Sequence, residues 1–139
     1  MLIDHVTEAL KTLEELRRKS LDEIASDRIL LSATLWNLYI AVQGCIDISL
    51  KIISRLGLRT PESYADAFNV LSEEKIIPPD LAKILASMAK FRHIIAHAYT
   101  KIDVKKVYDL INYNLEDLKE FLRSVAHSLE KSGIDIKEF

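Results

Sequence analysis

An all-α fold, a single-domain bundle of about five helices with a long second helix, is what this sequence predicts, and three observations carry the prediction. Only 3 Gly and 3 Pro occur among 139 residues, far below ordinary usage of about 12% for the two together, which speaks against turn-rich sandwiches, barrels and propellers. Apolar residues recur at spacings of three and four along most of the chain, the period of a helix face and not of a strand. The length fits one domain over residues 1–139, at roughly 100–200 residues per domain, with no internal repeat or low-complexity tract.

Helix one runs from Asp4 to about Lys19, with Val6, Leu10, Leu13 and Leu16 forming a single stripe opposite a charged face. Ser20, followed three residues later by Glu23, reads as a capping box that opens helix two. Gly57 is its expected stop, giving about 36 residues, or roughly 54 Å, with a bend expected near Gly44. Within it, Ile29 to Ile46 is 18 residues without a formal charge, close to the minimum of about 17 for a membrane span. Ser32, Thr34, Asn37 and Gln43 interrupt the stretch, and the apolar pattern continues past Asp47 and Lys51, so a buried helix is expected and no membrane. A helix apolar on more than one side needs cover on more than one side, which a domain this small supplies most economically by pairing with a second copy. A homodimer is therefore expected.

Thr60 and Pro61 read as the N-cap and first position of a short helix three, with Tyr64, Ala67, Phe68 and Leu71 on its apolar face. Pro78-Pro79-Asp80 separates it from helix four, where Leu81, Ile84, Leu85, Met88, Phe91, Ile94 and Ile95 keep helical spacing up to about Ala98. Asp103 caps helix five, whose stripe from Val107 to Leu129 ends at Gly133. Ile134 to Phe139 reads as a loose end.

Nineteen basic residues against 21 acidic ones leave a net charge of −2, so no global positive field attracts nucleic acid or an anionic membrane. The balance is uneven, however. Between Lys83 and Lys106 lie Lys83, Lys90, Arg92, Lys101, Lys105 and Lys106 against the single acid Asp103, and His93 and His97 fall in the same window. A local phosphate site follows from that concentration; lysines on solvated helix faces are the plainer alternative. No glycine-rich phosphate loop exists, which argues against a nucleotide triphosphatase. The single Cys45 has no partner for an intrachain disulfide, and the first residues carry mixed charge instead of a signal-peptide pattern, so a cytoplasmic protein is expected.

At the end of helix four stands Arg92-His93-Ile94-Ile95-Ala96-His97-Ala98-Tyr99, preceded by Met88 to Phe91 and followed by Thr100-Lys101-Ile102-Asp103. This R-x-x-x-x-H-x-Y string resembles the motif of the HEPN superfamily, specifically the HepT-like toxins of HepT/MntA toxin–antitoxin systems. Leu56 to Tyr64 with Ala67-Phe68 resembles the family's interhelix segment, and Asp103 to Tyr108 its lead-in to the last helix. The likeness covers about Asp47 to Phe121, roughly half of the chain. Where the family commonly has asparagine after the arginine, this chain has His93.

The resemblance implies metal-independent endoribonuclease chemistry with no cofactor, in which the neighbouring 2′-hydroxyl of RNA attacks phosphorus; no DNA substrate is expected. Histidine suits proton transfer near neutral pH, which assigns that role to His97. Arginine's fork of donors suits phosphate oxygens and assigns Arg92 to the developing charge. His93, Lys90, Lys101 and Asp47 are supporting or RNA-contacting candidates. Tyr99 is a further RNA contact or a core-packing residue, and the resemblance implies that it is the acceptor of AMP from a nucleotidyltransferase-fold, MntA-like antitoxin. Phosphate charge added there would repel RNA.

On an ideal helix Arg92 and His97 lie about 140° apart, so one straight helix does not assemble the site. Either the helix ends or distorts near His97, or motifs from two copies line a shared cleft. The resemblance implies the second. His93 and His97 also form an i, i+4 pair able to share a metal, but no further ligand is visible and none is expected. His5 and His127 read as surface residues, while Trp36, Tyr39 and Cys45 read as core or dimer contacts. Asp47, amid apolar residues, needs a partner if buried, and Arg92 is the candidate. Besides the ribonuclease, a non-catalytic helical module that binds a nucleotide or a nucleotidyltransferase remains a distinct reading of the same motif.

Overall fold

A computed structural model describes residues 1–97 and 99–139, the side chain of Tyr99 excepted. Among the described residues the chain is helical and without strands, in the order α1 (Leu2–Leu16), α2 (Leu21–Ser26), α3 (Arg28–Leu56), α4 (Tyr64–Glu73), α5 (Pro79–His97), α6 (Val104–Tyr113) and α7 (Leu115–Lys131). Short 3-10 turns cover Tyr99–Lys101 and Ile136–Glu138.

The predicted second helix is in fact two. The Ser20–Glu23 capping box forms as expected, with the Glu23 N–H donating to Ser20 Oγ at 3.1 Å and the Ser20 N–H to Glu23 Oε1 at 3.2 Å. The helix it opens lasts only to Ser26, because Asp27 adopts an extended backbone and accepts from the N–H groups of Ile29 and Leu30. An aspartate that satisfies the first amides of a new helix is a stronger local choice than continuing the old one. Gly57 ends α3 as predicted, in the left-handed conformation at φ 65°, with its own N–H and that of Leu58 turned back on the last turn.

The start of α4 is a second correction. Ser63, and not Thr60 with Pro61, is the cap, its Oγ accepting from the Asp66 N–H at 3.0 Å. The residues before it are held instead by Arg59. Its guanidinium donates to both carboxylate oxygens of Asp66 at 2.8 and 3.1 Å and to both of Glu73 at 2.9 and 2.8 Å. Asp103 caps α6 as expected, but the long fifth helix is divided at Asn114 into α6 and α7. The segment read as a loose end is docked: Phe139 is buried, and its carbonyl accepts from the Ile3 N–H at 3.2 Å.

α3 is the spine. α1 lies along it, α4 and α5 pack on each other and on it, and α7 closes the bundle against α1, α3 and α5. Phe68 and Phe121 meet edge to face at 5.7 Å between centroids in the core between α4 and α7. The buried hydroxyls of Thr34 and Ser49 are satisfied within α3 by the carbonyls of Leu30 and Cys45, each at 2.8 Å. α3 runs unbroken through Gly44, whose missing side chain admits Val6 of α1; a Cβ there would run into Val6 Cγ2. By length and composition α3 could cross a membrane, yet its buried residues from Leu38 to Ile53 belong to the common core. Its first half is different: Ile29 is 81% and Trp36 62% exposed.

Candidate functional site

α5 delivers the motif to the end of the bundle. Leu81, Ala82, Leu85, Met88, Ala89 and Phe91 fix its inner face in the core, and Arg92 continues that face with only 8% of its surface exposed. A buried guanidinium ordinarily requires an acid. Here none lies within ion-pair distance among the described residues, and Nε is buried with no hydrogen-bond partner. Asp47, the partner considered from the sequence, is half-buried on α3 and accepts instead from Gln43 Nε2 at 2.9 Å.

Two tyrosines occupy the place of the missing acid. Tyr39 of α3 and Tyr64 at the start of α4 each set a ring 5.6 Å from Arg92 Cζ. Cation–π contacts are worth about 0.5–2 kcal/mol each, rising with desolvation, and leave the charge uncancelled because a ring face is not an acceptor oxygen. Trp36, one turn before Tyr39, stacks on it at 5.9 Å and 16°. An open groove of about 530 Å³ runs beside this stack, lined by Ser32, Leu35, Trp36 and Tyr39 of α3 and Ile95 and Ala96 of α5. Sequence reasoning gave Tyr39 and Tyr64 no part in the site. Their meeting with Arg92 joins three helices distant in sequence, and no local pattern signals it.

His93 and His97 project from the other side of α5, both exposed, with ring centroids 4.4 Å apart and planes tilted by 47°. The described part of α5 runs to His97, with Arg92 on its buried face and the two histidines on its exposed one. Lys90 on α5 and Lys101 in the following 3-10 turn are exposed. Of the other basic residues in that window, Lys105 donates to Asp109 at 2.8 Å and Lys106 Nζ sits 5.1 Å from the Phe91 ring centroid. The Tyr99 side chain and Ala98 lie outside the described residues. His5 and His127 are exposed, as expected, and Cys45 is fully buried. Among the described residues no group of three or more His, Cys, Asp or Glu converges as a metal site.

Similarity to known proteins extends over most of the chain. The family profile described as "Ribonuclease HepT-like" matches residues 6–125. The tRNA nuclease HepT of Aphanizomenon flos-aquae is 30% identical over 126 residues, 89% of this chain and 82% of that protein. The mRNA nuclease HepT of Shewanella oneidensis is 28% identical over 100 residues, covering 72% of this chain and 75% of its own length. Among solved structures, the tri-AMPylated HEPN toxin of Shewanella oneidensis in complex with MNT antitoxin shares the fold with a TM-score of 0.84 at 24% identity, over 91% of this chain and 94% of that one. YutE, a cytosolic protein of unknown function from Bacillus subtilis, does so with a TM-score of 0.78 at 19% identity, over 96% and 94% of the two chains.

Proposed function

The chain belongs to the HepT-like ribonuclease family, and from that premise we propose that it is the toxin of a toxin–antitoxin pair, a cytoplasmic, metal-independent endoribonuclease. The observation that carries the reading is Arg92: a buried guanidinium held between aromatic rings, without an acid to neutralise it, one residue from the His93/His97 pair. A largely buried, uncancelled cation is suited to a phosphate whose charge grows in the transition state.

The reaction is an internal transfer. The 2′-oxygen of the nucleotide before the cut attacks phosphorus as His97 accepts its proton, a new O2′–P bond forms, and Arg92 stabilises the added charge on the non-bridging oxygens. The P–O5′ bond then breaks, and the 5′-oxygen leaves with a proton delivered by the protonated His97, directly or through water, which restores His97 and gives a 2′,3′-cyclic phosphate and a free 5′-hydroxyl. Because Arg92 and His97 occupy different faces of one α5, the working cleft pairs motifs from two copies. The exposed Ile29 and Trp36 on α3 supply apolar surface for that homodimer. His93, Lys90 and Lys101 serve as RNA contacts at the rim, and Asp47 as a more distant support. Transfer of AMP to Tyr99 by an MntA-like nucleotidyltransferase antitoxin would add negative charge beside the cleft and switch it off.

End-labelled RNA incubated with unmodified protein in EDTA tests the reading, with His97→Ala prepared identically and intact mass used to exclude nucleotide on Tyr99. Cleavage by wild type and not by the variant is expected. Equal cleavage by both would remove His97 from the site, and no cleavage of varied RNAs would favour the non-catalytic binding module.

A further inference from the structure

We infer that Tyr39 and Tyr64 are positioning residues for Arg92: the two rings hold the guanidinium in place while leaving its charge available to a phosphate. The inference rests on the ribonuclease reading for its catalytic consequence, though not for its geometry.

A guanidinium on a flexible stem must be held if its donors are to meet a transition state, and a small misplacement is enough to lose most of its effect. An acid would hold it well but would also occupy its donors and cancel its charge. Ring faces do neither. Tyr39 and Tyr64 come from different helices, α3 and α4, and each stands 5.6 Å from Arg92 Cζ. The unpartnered Nε shows that the holding force is not hydrogen bonding at that nitrogen. Tyr64 is itself fixed, since it begins α4 directly after the Ser63 cap, in a segment pinned by the Arg59 fork. Tyr39 is backed by Trp36, stacked on it at 5.9 Å. Lysine, a flexible point charge without a rigid fork of donors to aim, would not substitute for Arg92 even though it carries the same charge.

The test compares Tyr→Phe, which keeps each ring, with Tyr→Leu, which removes it. Tyr64 is 53% exposed, so Tyr64→Leu takes the ring away without opening the core. In a cleaving protein, Tyr64→Leu and Tyr39→Leu should lower kcat about 10- to 100-fold with little change in KM, and both Phe variants should restore it. In an Arg92→Ala background the Leu substitutions should cost less than about twofold further, because a clamp with nothing to hold has no effect. Undiminished kcat in the Leu variants, or a loss that adds in full to that of Arg92→Ala, would overturn the inference.

The Arg92 Nε–H resonance gives a readout independent of activity. Ring currents should displace it upfield in wild type and the Phe variants and release it in Tyr64→Leu. Inorganic phosphate should shift it at lower concentration when both rings are present. If wild-type protein cleaves no RNA, the ribonuclease reading fails and this titration decides the clamp alone. A phosphate response that is the same with and without the Tyr64 ring would then sink it.

Discussion

Val6 of α1 sits in the notch that Gly44 leaves in α3, closely enough that a Cβ on Gly44 would collide with Val6 Cγ2. Valine is stiff at χ1 and this one is fully buried, so it cannot swing aside. Gly44→Ala should therefore destabilise the bundle by about 1–3 kcal/mol in urea unfolding, even though alanine is the better helix former by about 1 kcal/mol. Val6→Ala in the same chain should recover part of that loss. A Gly44→Ala protein as stable as wild type would mean that α1 and α3 can separate freely.

Arg59 should make stability depend on pH in the acid range. Its hydrogen bonds, with that of the Glu62 N–H, hold the Asp66 carboxyl well below the usual carboxylate range, and they lower Glu73 as well. A carboxyl whose folded pKa is depressed stabilises the protein above its unfolded value, about 3.9 for aspartate, and loses that contribution as pH falls through the folded value. Asp66→Asn should thus lower Tm by a few degrees at neutral pH, a modest amount because the pair is solvent-screened. The gap from wild type should shrink steadily below about pH 4. A gap that stays constant down to pH 2 would assign the effect to helix capping and not to charge.

What the sequence made legible was local. The Ser20–Glu23 box, the Gly57 stop and the Asp103 cap are each set by a side chain and backbone groups within a few residues, and all three form. The breaks at Asp27 and Asn114 escaped because neither carries glycine or proline and the apolar spacing runs on across both. Thr60-Pro61 was a sound capping signal that lost to Ser63, since Arg59 draws the intervening residues onto Asp66 and Glu73. Arg92 and the two histidines could be read from one short string. The tyrosines around Arg92 could not, because their contact is a product of tertiary packing.

Cys45 should be chemically silent in the native protein. Burial alone pushes its thiol far above the usual range, and the residue has no solvent-exposed surface. Thiol-specific reagents at mildly alkaline pH should label it only at the rate at which the bundle opens, and at once in denaturant. Native labelling at the rate of a free thiol would show that α3 is accessible where the structure closes it.

Phe139→Ala should cost on the order of 2–3 kcal/mol, toward the low side of the roughly 3–5 typical of a core phenylalanine, because the short 3-10 turn that carries it can shift to fill the gap. The reason is the docking of the last residues on the start of α1. Thermal unfolding of the variant checks it, and an unchanged Tm would return this segment to the loose end its sequence suggests.

Trp36 is the chain's single tryptophan and is 62% exposed. With excitation at the red edge of its absorption, its fluorescence therefore belongs to one face of one helix, with no second tryptophan to dilute it. A blue shift that grows with protein concentration would register that face becoming covered by another copy. A change in intensity at fixed concentration would register disturbance of Tyr39, on which Trp36 stacks, and so of the guanidinium beyond it. The molecule thus carries its own optical gauge of the exposed face of α3 and of the stack that leads to Arg92.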